Sequence, residues 1–152
     1  RAQLNRIFVS LEQRHGRQLT SHALTLLHAS LRGLSDSEMC DVLSCNESVL
    51  EEVFQWFLPS VRRLPPAFWI HLKADLEPFL SQQSAPGGRV LAFSHHLFDT
   101  AANGRYQALR LIVPSHMALA DYFGGHSAKR FPDRLLDPQP LRRHGILNER
   151  RV

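Results

Sequence analysis

The sequence predicts a mainly α fold, a winged-helix module with flanking helices and a short β wing, and three observations carry that prediction. Up to Leu80, apolar residues recur every three or four positions in five successive stretches, which is the spacing of helices. Ser84-Ala85-Pro86-Gly87-Gly88 then has turn composition. Directly after it, Val90–Tyr106 (VLAFSHHLFDTAANGRY) starts as an apolar strand over Val90–Phe93 and turns at Ser94. It continues as a helix with Leu97, Phe98, Ala101 and Ala102 on one face. Helices, a turn-closed β element and a further helix follow in the order of a winged helix, which places that domain over residues 19–106.

Each helix has its own signals. Gln3–His15 aligns Leu4, Ile7, Phe8 and Leu11, and Gly16 follows as a C′ residue. Leu19–Leu31 turns Leu19, Ala23, Leu26, Leu27 and Ser30 inward, with Thr20 or Ser21 as its cap and Gly33 closing it. Ser35-Asp36-Ser37-Glu38 is a capping box that opens a helix burying Met39, Val42 and Leu43. Asn46 caps Glu47–Leu58, whose apolar face is Val49, Leu50, Val53, Phe54 and Phe57. Pro59 and Arg62-Arg63-Leu64-Pro65-Pro66 form an extended break. Pro66 at N1 opens Pro66–Leu80, which buries Phe68, Trp69, Leu72, Leu76 and Phe79, and Pro78 ends or kinks its last turn. The partner of the wing strand is placed near Phe79–Gln83. A last helix, Ser115–Phe123, carries Met117, Leu119, Ala120, Tyr122 and Phe123, and irregular structure is expected from Gly124 onward.

Composition narrows the function. With 43% hydrophobic residues the 152-residue chain can bury a core. No apolar run approaches the roughly 18 residues of a membrane span. The first residues lack a signal-peptide pattern, so a cytoplasmic location without membrane contact is expected. The chain begins on Arg1 and ends on Arg150-Arg151-Val152, which reads as a piece of a larger protein. Cys40 and Cys45 are badly spaced for a disulfide and too few for zinc, and are expected as buried or half-buried thiols in a reducing compartment. Charge is segregated. Asp36, Glu38, Asp41, Glu47, Glu51 and Glu52 fall in 35–57 with no Lys or Arg, whereas Lys129, Arg130, Arg134, Arg142, Arg143, Arg150 and Arg151 follow residue 128. The basic residues are expected as solvated surface beside the acidic segment.

Catalytic chemistry finds little support. Ser94, His95 and Asp99 lie together, but the Ser and His are adjacent and no nucleophile elbow surrounds the serine. The nine histidines include no His-x-x-x-His metal arrangement. A Gly-x-x-x-x-Gly-Lys-Ser/Thr phosphate loop is absent, so no enzyme activity and no metal are expected of this chain alone.

Several pieces resemble one family. They are Glu12-Gln13-Arg14-His15-Gly16, Arg32-Gly33-Leu34-Ser35 with Glu38, Val61-Arg62-Arg63-Leu64-Pro65-Pro66 before Phe68-Trp69, and Val90–Tyr106. Leu119-Ala120-Asp121-Tyr122-Phe123 and Pro138-Gln139-Pro140-Leu141 extend the match. In this order they resemble the region after the nucleotide-binding core of NACHT-type (STAND) signalling ATPases, especially those carrying WD40 repeats. The resemblance implies a non-catalytic regulatory module of a nucleotide-dependent switch. It implies a leading helix over 1–18, the winged helix over 19–106, and a downstream helix and basic tail over 107–152. In the family a histidine at the end of the wing strand, in a Phe-x-His-x-x-Phe setting, contacts the β-phosphate of bound ADP. Phe93-Ser94-His95-His96-Leu97-Phe98 matches it and gives that role to His95, with His96 the poorer candidate. ADP or ATP is thus implied for the parent, and the implied partners are its N-terminal nucleotide-binding domain, its C-terminal repeat domain and other proteins. Arg62 and Arg63 are candidate contacts to an acidic partner or neighbouring domain. The alternatives are a purely architectural fragment, docking through the first helix and the segment after Ser115, and a nucleic-acid-binding winged helix. The outward residues of the candidate reading helix, His71, Lys73, Asp75 and Glu77, are nearly neutral and speak against the latter.

Overall fold

The computed structural model describes residues 2–135. Eight α-helices and one antiparallel hairpin follow one another there, with α2 at the centre. Helix α1 (Ala2–His15) packs Phe8 and Leu11 inward. Gly16, at φ 98°, closes it and starts α2 (Arg17–Ala29) directly, a backbone conformation that favours glycine. The cap of α2 is neither Thr20 nor Ser21. Both are buried, and Glu52 from α4 (Glu47–Phe54) reaches across to accept from Gln18 N (3.1 Å) and Leu19 N (3.0 Å). A carboxylate there meets the unpaired amides and the positive end of the helix. Helix α2 stops at Ala29, two residues short of the expected end, and leaves Leu31 98% exposed.

The capping box of α3 (Asp36–Ser44) forms both ways: Glu38 N donates to Ser35 Oγ and Ser35 N to Glu38 Oε1. Asn46 Oδ1 caps α4 through Val49 N, as predicted. That helix ends at Phe54 rather than Leu58, so Phe57 is exposed with Trp56 and Leu58 instead of facing the core. Helix α5 (Pro66–Leu76) buries Trp69, Leu72 and Leu76 and ends where Pro78 dictates, in a 3-10 turn over Glu77–Phe79.

The wing is β1 (Leu80–Ala85) paired with β2 (Gly88–Phe93) in the register Leu80↔Phe93 to Ala85↔Gly88. It is longer than the sequence shows, because β1 is polar and its strand period is hidden. Leu34 joins β2 through a bridge to Leu91. Helix α6 (His96–Tyr106) buries Phe98, Ala102 and Tyr106, but Leu97 is 73% exposed, against expectation. Helix α7 (Ile112–Phe123) buries Leu119 and Tyr122 and leaves Met117 exposed. A short α8 (His126–Arg130) stands where irregular chain was expected. Pro138–Leu141 and the four C-terminal arginines lie outside the described residues. Cys40 is buried and Cys45 half-buried; burial pushes their thiols up to about 12 and about 11, so both are inert thiols at neutral pH. Among the described residues no helix is long and apolar enough to cross a membrane.

Candidate functional site at the wing corner

Where β2 turns into α6, the backbone is fixed and one side chain is left over. Ser94 N donates to Phe79 C=O (2.9 Å), which ties the end of the strand to the turn before β1. His95 follows as N-cap of α6, extended at φ −116° and ψ 115°, and its C=O accepts from Asp99 N (3.0 Å). Its imidazole is exposed and makes no cap bond. His95 is therefore neither a helix cap through its side chain nor a satisfied core histidine. His96 is also exposed but lies 3.5 Å from Thr100 Oγ1 on its own helix.

Below this surface the corner is rigid. Phe98, three residues on, stacks on Phe79 (centroids 4.1 Å apart) and meets Phe93 (5.5 Å) and Phe8 (5.1 Å). Arg105 Nε (2.7 Å) and Tyr106 Oη (3.2 Å) both donate to Glu12, fastening the far end of α6 to α1. Asp99 in the first turn would repel an anion at the helix N-terminus, but it is held by His28 Nδ1 at 2.5 Å. Sequence reasoning missed His28, since no local pattern links residues 71 positions apart. The arrangement offers an anion an exposed ring N–H donor beside the positive end of an eleven-residue helix. Among the described residues no group of three or more His, Cys, Asp or Glu could hold a metal.

Residues 1–111 match the family model described as "NWD1-like, winged helix-turn-helix domain". The chain belongs to that family. It is 33% identical over 160 residues to human NACHT domain- and WD repeat-containing protein 1, covering 93% of this chain and 10% of that protein. The mouse protein of the same name is 33% identical over 154 residues, covering 90% of this chain and 10% of its own length. Mouse NACHT and WD repeat domain-containing protein 2 is 31% identical over 124 residues, 80% of this chain and 7% of its own. The chain thus spans about a tenth of the length of the curated relatives it matches. No solved structure matches.

In this NWD1-like winged helix, Arg62 and Arg63 lie apart from the corner. Arg62 is exposed and pairs with Glu47. Arg63 is turned inward, donating to Asp41, which is fully buried, and to Arg134 C=O. Asp41 also accepts from Tyr122 Oη (2.5 Å), and burial, with that carboxylate beside it, drives the phenol pKa far above its usual range. Arg134, itself buried, donates to Glu47 and to Ser44 C=O (3.4 Å). Hydrogen bonds from Arg134, then Arg62, hold the Glu47 carboxyl below its usual value. So Arg63 and Arg134 are not solvated surface: they fold onto the acidic segment and bind α7 and α8 to the rest. Two of the four residues expected outward on α5 are also engaged. Lys73 pairs with Asp36 (2.9 Å), and Asp75 with His15 (2.6 Å) and Arg14 (3.0 Å).

Proposed function

We propose that this winged helix is the regulatory module of a NACHT-containing nucleotide switch, and that its wing corner closes over an ADP bound by a neighbouring NACHT domain. The observation that carries the reading is the His95 ring, exposed at the N-cap of a rigidly held helix and unused by the fold. A ring N–H donates to a β-phosphate oxygen while the α6 N-terminus adds its partial positive charge, with Asp99 held aside by His28. Losing that contact when the nucleotide changes frees the module to rotate, which transmits the nucleotide state to the rest of the parent. A winged-helix domain of this family is not itself a catalytic domain, so any hydrolysis belongs elsewhere in the parent.

The test is His95→Ala in the full-length parent, reading ADP dissociation. A charge-assisted hydrogen bond of about 1.5–3 kcal/mol predicts ADP release faster by about ten- to a hundredfold, with His96→Ala close to wild type. Equal off-rates for His95→Ala and wild type would refute the assignment. The nucleic-acid reading finds no support in α5, whose single lysine, Lys73, is already paired with Asp36.

A further inference from the structure

The outer strand of the wing carries a hydrogen-bonding edge that the fold does not use. Leu34 N donates to Leu91 C=O (3.0 Å) and Leu91 N to Leu34 C=O (2.8 Å), so the polar backbone groups of Leu91 point away from β1. Leu91 faces Gln82 in the register, which makes that pair the non-hydrogen-bonded kind. By alternation, Ser81, Gln83 and Ala85 bond to β2, while the N–H and C=O of Leu80, Gln82 and Ser84 point outward. Leu80 N already donates to Glu77 C=O, and Pro86 beyond the strand has no N–H. Between these two stops, the outward groups of Gln82 and Ser84 meet no partner among the described residues. The strand, Leu-Ser-Gln-Gln-Ser-Ala, has none of the charges, prolines or bulges that protect an edge.

We propose that β1 pairs with the β1 strand of a second copy of this chain, antiparallel about a two-fold axis at Gln83. The edge is self-complementary in that register. Gln82 falls opposite Ser84 of the partner subunit, and the reverse, so all outward N–H and C=O groups of both residues are paired. Leu80, whose N–H is taken, falls opposite Pro86 of the partner subunit, which has none to offer. A two-fold axis at Gln82 instead would aim Ser84 C=O at the committed N–H of Leu80 of the partner subunit. The pairing continues the wing into a four-stranded sheet. Ile70, 53% exposed in the groove beside Leu80 and Gln82, then lies on the same side in both copies. The shared edge is short, so the contact is weak and exchanging.

Sedimentation of the 152-residue chain tests this, read with amide hydrogen exchange. The average mass is expected to rise from 17.3 kDa toward twice that between micromolar and millimolar concentration. Exchange at the Gln82 and Ser84 amides slows in step, while the Gln83 amide is protected throughout. Gln82→Pro, which removes an outward donor and leaves the β1–β2 ladder intact, abolishes the rise. So does Gln82→Asp combined with Ser84→Asp, which sets like charges opposite each other. A mass fixed at 17.3 kDa, or a dimer that survives both variants and so uses another surface, overturns the proposal. Protection of the outward amides in the monomer gives the edge to another segment of the same chain, and also overturns it.

Discussion

Gly33→Ala separates the geometry of the wing from simple helix propensity. Gly33 sits at φ +81°, and a Cβ there would lie 2.5 Å from Leu91 C=O, a backbone atom. Left-handed backbone costs an ordinary residue about 1–2 kcal/mol. Relieving the clash opens the Leu34–Leu91 bridge, whose two bonds of 3.0 and 2.8 Å contribute about 1 kcal/mol each. The expected loss is therefore about 3–4 kcal/mol, a large part of a typical 5–15 kcal/mol stability. Urea unfolding measures it, with an unchanged slope showing that the denatured state is not what shifted. Gly104→Ala is the contrast: it is helical, a Cβ there meets nothing within 4 Å, and a gain of about 0.5–1 kcal/mol is expected. A Gly33→Ala protein within about 1 kcal/mol of wild type would refute the claim that close approach to β2 requires glycine here.

Two other perturbations probe contacts that reach across the fold. Asn46 Oδ1 is committed to Val49 N, so its Nδ2 must donate to His22 Nδ1 (3.1 Å), and that nitrogen must carry no proton. Burial lowers the His22 pKa, so its contribution to stability is complete above the unfolded value of about 6.5 and is lost as pH falls below it. Between pH ~7.5 and ~5.5, wild type should lose more stability than His22→Asn, which supplies an acceptor oxygen that does not titrate; parallel urea midpoints would refute this. Glu52→Ala removes the acceptor of Gln18 N and Leu19 N and should cost about 1–2 kcal/mol, seen as a Tm drop of a few degrees, with Glu52→Gln losing less.

What the sequence revealed was local. Ser35 and Glu38 are three residues apart, Asn46 caps its own helix and Pro78 ends its own turn, so each could be read without the fold. The corner at Val90–Phe98 was legible because its period changes within a few residues. Phe57 and Leu97 misled because spacing identifies a face but not where a helix stops or which face the neighbours cover. Helix α4 ends at Phe54, and the rings of Phe79, Phe93 and Phe8 select Phe98 over Leu97. Strand β1 was partly hidden because Ser81-Gln82-Gln83-Ser84 has no apolar alternation. The Glu52 cap, the His28–Asp99 pair and the inward turn of Arg63 join residues at least 22 positions apart, and only the folded chain brings them together.

The Phe98 ring cluster gives the corner a mechanical character. Phe8 arrives from the start of the chain, Phe79 and Phe93 from the two ends of the wing, and all close on one ring three residues from His95. Glu12 anchors the opposite end of α6 to the same first helix. The corner is thus braced from both sides, by the wing through Phe79 and Phe93 and by α1 through Phe8 and Glu12. An imidazole late in the chain is thereby positioned in part by the helix with which the chain begins.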